Sequence, residues 1–132
     1  MDISLCLVDI DSNKMYTAGA MRPIYIYRQG IQHIIKGDRF TLGGTMVKNK
    51  IFNTQEYDLK KGDLVYMFSD GYADQFGGPN RRKMKVSGLN QFLDQVSQLE
   101  ISQQSKEIDR FFENWKGDIP QMDDVLLIGF QY

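Results

Sequence analysis

The sequence predicts an α+β fold in which antiparallel strands are flanked by helices. Three observations carry that expectation. Up to residue 68, short runs rich in apolar, β-branched and aromatic residues alternate with tight polar turns, which favours antiparallel pairing over crossover connections. Residues 87–99 and 103–116 then space their apolar side chains as helices do. An apolar strand-like run returns at 125–130. With 132 residues, the chain has room for one domain with a proper core and not for two.

The first strand is expected over residues 2–10, where apolar residues are dense and partly alternate. Asp11, Ser12 and Asn13 readily bond their own backbone and turn the chain towards a hairpin partner at 15–18. Asp9-x-Asp11-x-Asn13 imitates the opening of a calcium-binding EF-hand loop. Lys14 stands where that loop needs glycine, however, and Ala20 where it needs a bidentate glutamate, so the turn is the better reading. Residues 19–23 break the pattern. Residues 24–27 form a β-rich run, Gln29-Gly30 a hairpin turn, and 31–36 the returning strand. His33, the one histidine in the chain, sits in that strand and is read as structural. Residues 37–40 and Gly43-Gly44 are loops. Residues 52–59 alternate loosely as another strand, and Lys60-Lys61-Gly62-Asp63 is expected as a hairpin turn with Gly62 at positive φ. Residues 64–68 follow as a buried strand.

Beyond Phe76 the texture changes. Residues 77–80 read as a loop, and the basic stretch 81–85 as its solvated continuation; a nucleic-acid patch and an anion-steering flap near Asp70 are its competing readings. Leu89, Phe92, Leu93, Val96 and Leu99 define a helix over 87–99, with Ser87 expected as its cap. Ile108, Phe111, Phe112 and Trp115 define a second over 103–116, with Ser102 as N-cap and Gly117 as the stop. The aromatic residues are read as packing.

Charge and composition narrow the function. A net charge of −1, with 42% apolar and 25% charged residues, sets up no field that favours nucleic acid or an anionic membrane. No apolar run approaches the roughly 20 residues of a membrane helix, and the first residues lack the basic and apolar regions of a signal peptide. Cys6 is the single cysteine, so an intrachain disulfide and a cysteine-rich zinc site are excluded. A cytoplasmic, reducing setting is the expectation.

The chemistry is concentrated at two acidic points. Ser69-Asp70-Gly71-Tyr72 follows the strand at 64–68, and Asp123-Asp124 precedes the run at 125–130. If those strands lie side by side and antiparallel, the end of one meets the start of the other and the acids converge. Oxygen ligands without histidine or cysteine suit Mg²⁺ or Mn²⁺. Two such ions about 3.5–4 Å apart can activate water and neutralise phosphoryl oxygens. A glycosidase acid–base pair is the competing chemistry, and a role as turn residues alone is the plain one.

The run at 15–24, Gly37-Asp38-Arg39-Phe40 with Leu42-Gly43-Gly44, Leu59-Lys60-Lys61-Gly62-Asp63, Ser69-Asp70-Gly71 and Gln121-Met122-Asp123-Asp124-Val125 together resemble the C-terminal part of SpoIIE-type serine/threonine phosphatases. These are type 2C-like members of the PPM superfamily. The blocks cover nearly the whole chain in order. The resemblance implies an α/β/β/α arrangement, an antiparallel β-sandwich with flanking helices. It also implies a Mn²⁺ or Mg²⁺ pair, with metal-activated water attacking phosphoserine or phosphothreonine. On it, Asp70 and Asp123 match metal ligands and Asp124 is the neighbouring candidate. Ala20 and Met21 replace a histidine-bearing segment of many relatives, so no role transfers there, and Leu126 stands where relatives often carry threonine.

The family's other metal-binding aspartate, in a Gly-Asp…Gly-His-Gly motif, lies upstream of all these blocks, and the sequence contains no such motif. The expectation is therefore an incomplete domain lacking its N-terminal part, with part of a site and poor activity alone. The substrate implied by the resemblance is a phosphoprotein, such as an anti-sigma-factor antagonist in bacterial signalling. The alternative function is a non-catalytic interaction or oligomerisation module built on the same fold, whose bared sheet edge would favour a homodimer.

Overall fold

The first hairpin forms where apolar alternation is densest. β1 (Ile3–Asp9) and β2 (Lys14–Ala20) pair antiparallel from Ile3 opposite Ala20 to Asp9 opposite Lys14. This computed structural model describes residues 1–44 and 49–132. They divide into two compact units, residues 1–67 with 131–132 and residues 68–130. Between β1 and β2, Asp9 Oδ1 accepts the Asp11 and Ser12 amides at 3.1 and 3.3 Å, and Oδ2 accepts the Ser12 hydroxyl at 2.7 Å. Those bonds, the Ser12 hydroxyl foremost, hold the Asp9 carboxyl below its usual range. The calcium-like spacing is thus a self-satisfied turn.

Along β2, Met15, Thr17 and Gly19 are buried while Lys14, Tyr16 and Ala18 are less so, the period of two that one covered sheet face requires. β3 (Ile24–Arg28) is next in sequence and begins a second sheet, pairing antiparallel with β4 (Ile31–Ile35). Gln29 and Gly30 connect them with φ of 50° and 77°, the paired positive values of a two-residue hairpin turn. β5 (Gln55–Asp58) joins the first sheet on the free side of β2, and β6 (Leu64–Phe68) joins the second beside β3. Met15, Ile24, Ile26, Tyr27, Val65 and Tyr66 are at most 2% exposed. The rings of Tyr27 and Tyr66 meet edge-on at 5.7 Å.

One turn behaves differently from its sequence. Gly62 has the expected positive φ, 93°, but residues 60–63 do not close a hairpin. β5 pairs with β2 and β6 with β3, so the turn carries the chain from one sheet to the other. Asp63 fixes that corner. Its carboxylate takes the Lys60 amide at 2.9 Å and, from Arg28, Nε at 2.8 Å and a terminal nitrogen at 2.6 Å. Burial works to raise the Asp63 carboxyl; the Arg28 guanidinium and the Lys60 amide outweigh it and hold the group below its usual range.

The second unit opens with α1 (Asp70–Asp74), followed by the short antiparallel pair β7 (Phe76–Gly77) and β8 (Arg82–Lys83). The stretch read as a loop is therefore a small hairpin. It rests on Trp115, whose backbone oxygen accepts the Gly78 amide at 2.8 Å. A Cβ at Gly77 would fall 1.9 Å from that same oxygen, so only glycine fits there. Arg81 and Lys83 pair with Asp118 and Asp74 at 3.4 and 3.2 Å, as expected of a solvated basic stretch.

α2 (Lys85–Val96) and α3 (Ile101–Lys116) both start two residues before the sequence predicts. Ser87 lies inside the first turn of α2, whose N-cap is Met84. Ser102 lies inside α3, whose N-cap is Glu100. Neither N-cap residue makes a side-chain capping bond. Packing sets these starts: Met84 is 5% exposed, and the buried Gln104 reaches back to the Leu99 carbonyl at 2.9 Å. Gly117, at φ 56°, ends α3 as expected. Phe92 stacks on Phe111 with centroids 3.7 Å apart. Tyr72 packs on Phe112 and donates its hydroxyl to the Ile108 carbonyl at 2.8 Å; burial pushes that phenol well above its usual range. The chain closes with β9 (Leu127–Gln131), two residues later than the apolar run begins. The elements make a mixed α+β fold with antiparallel sheets, as the sequence predicts.

Candidate metal centre

Asp70 stands at the start of α1, directly after Ser69, whose backbone is still extended at φ −75° and ψ 166°. The carboxylate is exposed, while Gly71, Tyr72 and Ala73 behind it are buried. The exposed group is therefore carried on a tightly packed turn, which is how a ligand is held without being covered.

Three hydrogen bonds stitch Ser69 to the segment that carries the other acids. Its amide donates to the Leu126 carbonyl at 2.9 Å. Its hydroxyl donates to the Asp124 carbonyl at 2.8 Å and accepts the Leu126 amide at 3.0 Å. Gly71 lets the two backbones meet: a Cβ there would lie 2.3 Å from the Asp124 carbonyl oxygen, far inside any contact distance. The two acid-bearing segments are thus in direct contact through their backbones. Asp123 Oδ1 accepts the Asp124 amide at 2.7 Å, which orients that side chain locally, and both Asp123 and Asp124 are exposed.

Among the described residues, no group of three or more histidine, cysteine, aspartate or glutamate side chains is gathered as a metal site. Asp70, Asp123 and Asp124 share one neighbourhood of backbone without forming a closed cage. That donor set still fits a hard, partly hydrated cation, because Mg²⁺ keeps several waters and takes only one or two carboxylates from the protein. It does not fit zinc or copper, for which nitrogen and sulfur donors are the common choice. His33 lies in β4 with its ring against Tyr57. Cys6 lies in β1, where burial pushes its thiol up, away from the reactive thiolate.

Sequence reasoning singled out the acids and Gly71 but gave the Ser69 side chain no task. Its hydroxyl is bonded to residues 55 and 57 positions away, a relation no local pattern encodes. The only signal was its place immediately before an Asp-Gly pair.

Comparisons with known proteins bear on the family and the fold. The family model for stage II sporulation protein E (SpoIIE) matches residues 1–132. The SiaA-PP2C domain of Pseudomonas aeruginosa superposes with a TM-score of 0.88 at 23% identity, over 99% of this chain and 51% of that one. The phosphatase domain of SpoIIE from Bacillus subtilis, solved after presoaking in Mn, gives 0.65 at 13% identity, over 98% of this chain and 56% of that one. The catalytic domain of the serine/threonine phosphatase PstP in complex with two manganese ions gives 0.61 at 13% identity, over 97% and 56%. This chain spans about half the length of these solved domains. A search of curated protein sequences gives no match. With the family model matching along its full length, the chain belongs to the stage II sporulation protein E (SpoIIE) family, and it shares the fold of these PP2C domains.

Proposed function

We propose that this chain supplies Asp70 and Asp123, with Asp124 as the neighbouring candidate, to the metal centre of a Mn²⁺- or Mg²⁺-dependent protein serine/threonine phosphatase. The single observation that carries this reading is the interlock of Ser69 and Gly71 with residues 124–126. It spends three hydrogen bonds and an obligatory glycine on keeping two exposed acidic segments together. When bound, the cations supply positive charge for the phosphoryl oxygens and a lowered pKa for an attacking water. The chain's own contribution is to fix the carboxylates: Ser69 ties the backbone just before Asp70 to Asp124 and Leu126, and Asp123 is turned by the Asp124 amide.

The resemblance places a further metal-binding aspartate in a Gly-Asp…Gly-His-Gly motif that this sequence does not contain. The reading therefore includes a site completed by further ligands, and low turnover by these 132 residues alone. The substrate class is a phosphoprotein carrying phosphoserine or phosphothreonine in a bacterial signalling pathway, such as an anti-sigma-factor antagonist, and the setting is cytoplasmic. Among the described residues no helix is long and apolar enough to cross a membrane.

Mn²⁺ binding by the chain, followed by calorimetry alongside hydrolysis of a phosphothreonine peptide, tests the reading. Weak binding that is lost in both Asp70→Asn and Asp123→Asn supports it. Turnover or binding that persists unchanged in both variants sinks it.

A second reading, an interaction or oligomerisation module, is favoured by β1. This strand has β2 on one side only among the described residues, and its Leu5 and Leu7 are 58% and 62% exposed, features that invite edge pairing. A dimer in light scattering that is dispersed by Leu7→Lys would favour it, and a monomer at high concentration would count against it.

A further inference from the structure

Gln75 is the largest polar side chain in the second unit with no exposure at all, and the Ser69 interlock makes no use of it. It lies at the C-cap of α1, where its amide donates to the Gly71 carbonyl at 3.1 Å. Its side-chain nitrogen donates to the Pro120 carbonyl at 3.1 Å and the Phe76 carbonyl at 3.0 Å, and its side-chain oxygen accepts the Met122 amide at 3.1 Å. Its backbone carbonyl accepts the Trp115 indole at 3.0 Å and the Met84 amide at 3.1 Å. Both donors and the acceptor of the amide are used, so its orientation is fixed by chemistry rather than by shape alone.

The placement of these bonds matters more than their number. Ser69 ties the residue before Asp70 to Asp124 and Leu126, on the far side of Asp123. Gln75 ties the end of α1 to Pro120 and Met122, on the near side of Asp123. Asp70 therefore lies between the two clamps on one segment, and Asp123 lies between them on the other. With one clamp the 120–126 segment could pivot about Ser69; with both, its backbone is held at each end. Buried amides satisfied in this way are costly to leave unpaired.

We propose that Gln75 is a positioning residue for the metal centre, setting the separation of Asp70 and Asp123 by holding residues 120–122 against the end of α1, with Trp115 bracing its backbone. This rests on the metal reading given under Proposed function. Supporting groups behind metal ligands commonly change affinity by about 10–100-fold when lost, and that is the scale expected here.

The test uses the intact chain and two variants. Gln75→Met keeps volume and removes all three side-chain bonds, while Trp115→Phe keeps a ring and removes only the indole donor. Amide hydrogen exchange is read without metal, and paramagnetic broadening of amide signals is read during titration with Mn²⁺ alone. In the wild type, the amides of residues 69–71 and 123–126 should broaden together. In Gln75→Met, exchange at Met122 and Asp124 should rise at least tenfold while α2 and α3 keep their protection, and the Mn²⁺ midpoint should rise on the order of tenfold. Trp115→Phe should show the same pattern more weakly, and it stands in if the Gln75 variant fails to fold. Unchanged exchange at residues 121–124, or an unchanged Mn²⁺ midpoint in a folded variant, overturns the inference alone. A wild-type chain with no broadening at either segment overturns the metal reading and this inference with it.

Discussion

Two aspartates in this chain sit next to a glycine at the edge of the same strand and have opposite fates. Gly62-Asp63 enters β6 and Asp70-Gly71 leaves it two residues after its end. Asp63 is 1% exposed and has every reason to be ionised there: a forked Arg28 and the Lys60 amide. Asp70 is exposed at the start of α1, directly ahead of the buried Gly71, Tyr72 and Ala73. A carboxylate given its own arginine is structural, because its charge is already answered. A carboxylate at the surface of a braced turn is the kind that the proposed function assigns to a cation.

The sharpest way to break this contrast is to remove the answering charge. Arg28→Met leaves the Asp63 carboxylate buried without its partner, and should destabilise the chain by about 3–4 kcal/mol in urea unfolding at pH 7. The pH dependence has a definite sign. Asp63 is held below its unfolded value, so its stabilising contribution is full above about pH 4 and is lost as pH falls through the lowered folded value. In the variant, burial without Arg28 raises the carboxyl, and protonation relieves the penalty. The gap between variant and wild type should therefore narrow below about pH 4. A gap that stays constant down to pH 3 would mean that Arg28 stabilises by packing alone.

The next effect concerns the backbone meeting at the candidate centre. Gly71→Ala forces a Cβ towards the Asp124 carbonyl, 2.3 Å away in the present geometry. Backbone on both sides leaves little room to relax, and a loss of about 2–3 kcal/mol is expected. Gly62→Ala offers the matched control at the other glycine. It has open space around the new atom, so its cost of about 1 kcal/mol comes from positive φ alone. Equal losses at the two sites would show that the 71–124 contact is looser than it looks.

How much of this was legible beforehand follows from the range of the interactions involved. The hairpins at 10–13 and 29–30 were readable because a turn is specified by the residues within it: Asp9 bonds its neighbours, and Gly30 admits a positive φ. The turn at 60–63 was half readable. Its glycine and its shape follow from sequence, but the sheets that receive the two strands depend on partners about 40 residues away, such as Lys14 opposite Asp58 and Tyr27 opposite Leu64. The helix starts were misplaced because serine propensity favours a cap at Ser87 and Ser102, while burial of Met84 and Gln104 draws each helix two residues further back. The acids themselves were legible as acids beside glycine. Their bracing by Ser69 and Gln75 was not, since both side chains act across more than 40 residues on backbone groups that leave no trace in composition.

Ser69→Ala comes next in size. Removing the hydroxyl leaves the Leu126 amide without its acceptor and the Asp124 carbonyl without a donor, at a cost of about 1–2 kcal/mol. The corresponding exchange protection at Leu126 should fall, and protection within β3 should not change.

The smallest effect is the one that separates the two classes of aspartate most cleanly. Asp70→Asn and Asp123→Asn change exposed carboxylates to amides of nearly equal size, so each should shift unfolding free energy by no more than about 0.5 kcal/mol without metal. If these groups serve a cation, the same substitutions should abolish the stabilisation that added Mn²⁺ gives the wild type, because a ligand bound only by the folded state raises stability by RT ln(1 + [L]/Kd). Asp63→Asn should do the reverse, lowering stability at every Mn²⁺ concentration and leaving the metal-induced increment intact. Thermal unfolding of the three variants over a Mn²⁺ series reads both quantities at once. If Asp70→Asn proved as destabilising as Asp63→Asn in the absence of metal, Asp70 would belong with the structural carboxylates, and the distinction drawn from their surroundings would fail.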